Sequence, residues 1–136
     1  MPRIIAIDYG AKRTGLAWTD PLQIIATGIG SFDTEGLDDK LKELITKEEI
    51  EAIVLGYPTR MDGSDSHVTE AVRQLKDRLV KTYPKIKLHL VDERFSSQIA
   101  KQSMLEGGLS KKKRRNKHLV NEISAVIILQ DFMQGL

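Results

Sequence analysis

Three strand-like segments crowd into the first thirty residues, around Ile4 to Ile7, Gly15 to Thr19 and Ile24 to Gly30, joined by glycine-containing or Asp-Pro turns. Connections this short can join only antiparallel neighbours, because a parallel crossover needs a dozen or more residues. The pattern then changes. Leu37, Leu41, Leu44 and Ile45 recur at helical spacing, and the short apolar run Ala52 to Gly56 reads as a buried strand. A second helix carries Val68, Val72, Leu75 and Leu79, with Ser64 or Ser66 placed to cap it. An alternating strand covers Ile86 to Val91, a third helix runs from Ser97 to Leu105 and stops at Gly107-Gly108, and a last helix spans Leu119 to Met133.

That order predicts an α/β fold, a mixed five-stranded sheet of three antiparallel strands and then parallel β-α units, flanked by helices. The first, fourth and fifth strands can lie parallel and side by side, so that their C-terminal ends share one edge, where ligands usually sit in such sheets. The chain has 136 residues with neither repeat nor linker, which is the length of one domain spanning 1–136.

Two of those strands end in acids. Ile4 to Ile7 leads into Asp8-Tyr9-Gly10, and the alternating run to Val91 stops at Asp92-Glu93-Arg94. Carboxylates delivered to one sheet edge by two rigid elements suggest a divalent-metal site, since hard cations take oxygen ligands. The strand period sends Asp92 to the opposite face from Glu93, which makes Asp92 the weaker ligand.

Composition removes several alternatives. There are no cysteines, which excludes disulfide frameworks, thiolate zinc sites and a cysteine nucleophile. No apolar stretch approaches the roughly 18 residues of a membrane span, and the N-terminus has no basic-then-apolar leader, so a cytoplasmic, soluble protein without membrane contact is expected. The net charge is +2, yet residues 101–136 hold seven Lys or Arg against three acids. The excess is concentrated in Lys111, Lys112, Lys113, Arg114, Arg115 and Lys117, where like charges repel too strongly for a stable helical face. A solvated loop is the ordinary behaviour of such a run; polyanion binding through phosphate contacts is the functional one. No aromatic residue interleaves the cations, so backbone and shape recognition are expected there rather than base stacking.

Asp8-Tyr9-Gly10 with Gly15, Gly56-Tyr57-Pro58 with Met61-Asp62-Gly63-Ser64, Asp92-Glu93-Arg94-Phe95-Ser96-Ser97 and Ser124 to Leu129 occur in this order along the whole chain. Together they resemble the YqgF/RuvX family of small bacterial RNase H-like proteins, associated with Holliday-junction resolution and with maturation of the 5′ end of pre-16S rRNA. The resemblance implies an RNase H-like nuclease holding Mg²⁺ or Mn²⁺ between clustered carboxylates. It matches Asp8 to the first-strand aspartate and Glu93 to the acid of the Asp-Glu-Arg motif. Arg94 can pair with a neighbouring carboxylate or orient the scissile phosphate, and the family motif favours the second. Lys12 and Arg13 at the first hairpin read either as solvated surface charges or, from their nearness to Asp8, as phosphate contacts. The third ligand position departs from the family pattern: Asn121 stands where the last helix usually carries an aspartate. An amide oxygen can ligate a metal but brings no charge to offset it. Glu122 lies about 100° around the helix from Asn121 and would reach the same site only on a shifted helix.

Three outcomes stay open for Asn121: a weakened nuclease, a one-metal site, or a protein that binds RNA without cutting it. The expected partners are structured RNA, a pre-ribosomal particle and, alternatively, branched DNA. An ATP-dependent phosphotransferase is the reading from another class, and the chain is too short for the two domains that close over ATP. His67, His89 and His118 show no ligand spacing and read as structural or surface residues, with His118 the first choice were one to act as a general base. Ile123, Val126 and Ile127, with Leu119 or Val120, read as the core-facing stripe of the last helix.

Overall fold

The computed structural model describes residues 2–57, 67–92 and 117–134. They form strands β1 (Arg3–Asp8), β2 (Arg13–Thr19) and β3 (Ala26–Asp33), a 3₁₀ turn (Thr34–Gly36), helix α1 (Leu37–Lys47), strand β4 (Ile50–Tyr57), helix α2 (His67–Thr82), strand β5 (Lys87–Asp92) and helix α3 (Lys117–Gln134). The strands make one sheet in the order β3-β2-β1-β4-β5. β1 pairs antiparallel with β2 and parallel with β4, and β4 pairs parallel with β5. The predicted mixed sheet is therefore present, with β1, β4 and β5 adjacent and parallel. The serine caps of α2, the helix predicted over Ser97 to Leu105 and its Gly107-Gly108 stop lie outside the described residues.

The two-residue period of the strands sorts the core into two layers. Ile5, Ile7, Leu16, Ile53 and Leu55 face α1 and α2, meeting Leu37, Leu41 and Leu44 of the first and Val72, Leu75 and Leu79 of the second. Ile4, Ala6, Ala17, Ala52 and Val54 face the other way, against Ala125, Ile128 and Leu129 of α3. β1 is covered on both faces, which is why its sequence is a continuous apolar run rather than an alternating one.

The layers differ in texture. Large aliphatics line the side of α1 and α2, whereas small residues dominate the side of α3, so that α3 lies close to the backbone of the sheet. Its buried residues are Val120, Ser124, Ala125, Ile128 and Leu129. This corrects the stripe expected from hydrophobicity: Val126 packs partly against the core, but Ile123 and Ile127 belong to neither described cluster. The inward face combines the aliphatics Val120, Ile128 and Leu129 with the small Ser124 and Ala125, which let the helix approach the sheet closely.

At the far end of β2 the loop to β3 is held by one carboxylate. Asp20 accepts hydrogen bonds from the backbone N–H groups of Leu22 (3.2 Å), Ile24 (2.7 Å) and Ile25 (2.7 Å). The Ile25 bond above all, with those from Ile24 and Leu22, holds the Asp20 pKa below the ordinary value of 3.8. A depressed carboxylate adds stability that is present above its unfolded pKa and is lost as pH falls through the folded one. Amide exchange at Ile24 and Ile25 is therefore expected to stay slow through the normal aspartate range and to accelerate only below it. Asp20→Ala should abolish that protection at neutral pH; unchanged exchange in the variant would mean that the carboxylate does not order this loop.

Candidate functional site

Asp8 closes β1 at the edge where β4 and β5 also end, in register with Gly56, which is in turn level with Val91. Ile4 and Ala6 precede it on the α3 side of the sheet, and the two-residue period gives Asp8 the same side. The side chain is half-buried. β5 contributes its own residues to this side: the His89 ring lies 4.8 Å from that of Phe132 in α3, and Val91 packs on the same layer. His89 is thus a packing residue, as its place in an alternating strand suggested.

The link between Asp8 and α3 is Gly15. It is the antiparallel partner of Asp8, and the α3 backbone passes directly over it. A β-carbon at Gly15 would collide with the Asn121 carbonyl group and stand 2.9 Å from the Glu122 nitrogen, closer than a real side chain ever sits. The glycine is required by this approach of helix to strand, and residue 121 consequently lies beside the strand neighbour of Asp8. Glu122 goes elsewhere. Its carboxylate lies over Gly28 of β3, where a β-carbon would come within 2.8 Å of its Cγ. Gly28 pairs with Ala17, on the far side of β2 from β1. The Glu122 carboxylate is therefore directed to β3 and away from Asp8.

The hairpin after Asp8 is strapped down by a residue that the sequence did not single out. Thr34, just past β3, donates from Oγ1 to the Gly10 carbonyl (2.7 Å) and from its backbone N–H to the Lys12 carbonyl (2.9 Å). Its hydroxyl also meets that of fully buried Thr14 at 2.9 Å. Thr14 and Thr34 are 20 residues apart, so no local spacing could have revealed the pair. Lys12 sits exposed on this braced hairpin. Arg13 shares the face of Gly15 and Ala17 by strand parity, and its Nη1 is 3.3 Å from Asp33 Oδ1 across the β2–β3 pair. With Asp33 78% exposed, this ion pair is of the weak, solvent-screened kind.

Of the predicted ligands, the described residues include Asp8 and Asn121, the backbone carbonyl of Asn121 lying over Gly15, the strand partner of Asp8. Glu93 and Arg94, immediately after β5, lie outside them, as do Lys111, Lys112, Lys113, Arg114 and Arg115; Lys117 enters as the first residue of α3. Among the described residues no group of three or more His, Asp or Glu could hold a metal ion. What they offer a hard cation is one carboxylate at a rigid strand end and one asparagine, both oxygen donors. That donor chemistry suits Mg²⁺ or Mn²⁺ and not a thiophilic ion. No helix among the described residues is long and apolar enough to cross a membrane.

Comparison with known proteins adds to this geometry. The family model described as RuvX, Holliday junction resolvase, matches residues 2–135. A Flavobacterium johnsoniae protein named "Putative pre-16S rRNA nuclease" is 47% identical over 135 residues, covering 99% of this chain and 98% of its own length. Proteins of the same name from Porphyromonas gingivalis and Phocaeicola vulgatus are 47% and 48% identical over 135 residues, each across 99% of this chain and 98% and 97% of their own lengths.

Proposed function

This chain belongs to the RuvX family, and from that premise we propose that it is a metal-dependent nuclease, a single domain that cuts structured RNA, with the 5′ end of pre-16S rRNA as its substrate. The observation that carries the reading is the stacking of Asn121 on Gly15, the strand partner of Asp8. It supports the reading by laying the backbone of α3 at Asn121 over the strand neighbour of an acid from the start of the chain.

Asp8, Glu93 and Asn121 are the residues that would hold Mg²⁺ or Mn²⁺. A bound divalent ion supplies activation of the attacking water and relief of charge on the leaving oxygen. The chain's own task is placement. Asp8 presents its carboxylate from a strand buried on both faces, so its backbone cannot yield when a polyanion arrives. Lys12, on a hairpin fixed by Thr34, meets the phosphate backbone beside it, and Arg13 lies on the same face. Arg94 orients the scissile phosphate through its planar fork. Lys111, Lys112, Lys113, Arg114, Arg115 and Lys117 provide affinity that falls steeply with salt and reads backbone rather than sequence.

Asn121 favours a second reading, a factor that binds RNA in the pre-ribosomal particle and cuts slowly or not at all. Cleavage of a 5′-extended pre-16S fragment in Mg²⁺ and in Mn²⁺, beside a four-way DNA junction, separates the possibilities. Asn121→Asp adds a negative charge to the proposed ligand set and is expected to raise RNA cleavage by about tenfold or more at limiting metal, since an anionic oxygen would hold a divalent ion more tightly than a neutral amide does. No cleavage in either protein, with RNA binding intact, would support the binding factor, and preferential cutting of the junction would reassign the substrate to DNA.

A further inference from the structure

Thr34 and its neighbour Asp33, at the end of β3, act on the hairpin after Asp8 in different ways. Thr34 fixes the backbone. Its one hydroxyl proton goes to the Gly10 carbonyl at 2.7 Å, so in the 2.9 Å contact between the two hydroxyls the fully buried Thr14 must donate. The result is a directed chain from Thr14 through Thr34 to Gly10, and the Thr34 N–H adds a tie to the Lys12 carbonyl at 2.9 Å. A hairpin tied at Gly10, Lys12 and Thr14 leaves side-chain rotation as the means by which its cations meet a ligand.

Asp33 acts on a side chain. It stands opposite Arg13 in the β2–β3 register, and its Oδ1 lies 3.3 Å from Arg13 Nη1. Both residues stand two positions from the Gly15–Ser31 pair, on the side of the sheet given to Asp8. Any phosphate drawn to Arg13 thus meets a carboxylate already beside the guanidinium. The Arg13 side chain is 40% exposed and that of Asp33 78%, so water and salt screen their attraction and a better acceptor can displace the carboxylate.

We propose that Asp33 is a built-in competitor for the phosphate that reaches Arg13: it withholds the guanidinium in the free protein and gives it up when RNA docks, which lowers both the affinity and the salt dependence of binding. This rests on the function proposed above only in that the hairpin receives phosphates. A guanidinium takes a phosphate best through two parallel N–H donors, and turning that planar fork from Asp33 to a phosphate asks nothing of the backbone that Thr34 holds. The event is an exchange of anions around one cation. Counterions released from the RNA at Arg13 are offset by the cation that gathers on Asp33 once it is left alone, so the contact contributes little to the salt slope. Without the Asp33 charge, the same contact releases its counterions in full.

Filter binding of the 5′-extended pre-16S fragment to the full chain in EDTA, across about 50 to 300 mM KCl, tests this. Asp33→Asn is expected to tighten binding about two- to fivefold, the range of an exposed ion pair, and to steepen the slope of log affinity against log salt by up to about one. Arg13→Gln should weaken binding, and in that background Asp33→Asn should keep less than about half of its gain, since the two changes act through one contact. Glu35→Gln removes an exposed acid two residues further on and should shift affinity by less than about 1.5-fold. Melting temperatures within about 2 °C of the parent establish that the variants are folded. Equal gains with and without Arg13 would make Asp33 a direct repellent of RNA and overturn the inference. Unchanged affinity overturns it too, as does a loss, which would mean that Asp33 presents Arg13 to the RNA. Binding in EDTA does not depend on cleavage, so a protein that binds and never cuts removes the nuclease and leaves this inference in force, whereas a parent that binds no RNA removes both.

Discussion

Asp8→Asn is expected to lower metal-dependent cleavage by about 10³-fold or more while leaving the fold and most of the RNA affinity in place. The substitution is nearly isosteric, and Asp8 is only half-buried at the end of its strand, so no core contact is lost. What disappears is charge. In the proposed site, with position 121 neutral, Asp8 would carry a larger share of the negative charge facing a dication than in a site richer in carboxylates, and its loss would weigh correspondingly more. RNA binding should hold or improve slightly, since an anion is removed from the surface proposed to receive phosphates. Single-turnover cleavage measured beside filter binding resolves the two effects. Cleavage within tenfold of the parent protein would remove Asp8 from the chemistry and, with it, the proposed nuclease site.

The second large effect concerns Gly15. Gly15→Val places a branched side chain where the α3 backbone already lies, against the Asn121 carbonyl and the Glu122 nitrogen. Backbone atoms cannot rotate aside as a side-chain tip can, so the helix must move off the sheet or the strand must bend. Overpacking of this kind costs about 3 kcal/mol, at the upper end of its usual range, and should lower the melting temperature by roughly 10 °C in a chain of this length. Any folded fraction should also lose cleavage, because a displaced helix separates residue 121 from Asp8. Gly36→Ala is the control, since nothing lies within 4 Å of the added carbon, and its melting temperature should stay within about 2 °C of the parent. If Gly15→Val melted alongside that control, α3 could not be seated on β2 as found.

Much of this arrangement was legible from local pattern. Short turns between the first three segments required antiparallel pairing, and the switch to β-α alternation made the later strands parallel. The shared edge of β1, β4 and β5 follows from those two facts, and so does the delivery of Asp8 to it. The sorting of Ile5 and Ile7 to one layer and Ile4 and Ala6 to the other is likewise a consequence of the strand period. The neutral side chain at Asn121 stood out against a recognised motif rather than against any physical rule.

Other features could not be read from spacing. Thr34 braces the Asp8 hairpin from 20 residues away. Arg13 has Asp33 beside it only because β2 and β3 pair in one particular register. Glu122 and Asn121 are consecutive, yet one lies over β3 and the other beside the partner of Asp8; which goes where depends on the helix's rotation about its axis. That rotation buries Val120, Ile128 and Leu129 with Ser124 and Ala125 and leaves Ile123 and Ile127 half-buried, a choice between two apolar stripes that spacing alone did not make.

The order of residues alone determined the kinds of element, their directions and the edge to which the acids are carried, because turn length and side-chain periodicity act between near neighbours. Which residues of the last helix meet that edge, and what holds the first hairpin rigid beside it, were decided only in the tertiary structure. Close packing of a helix on glycine and alanine, and strand register fixed across the whole sheet, are properties of surfaces in contact and have no signature in any single stretch of the chain.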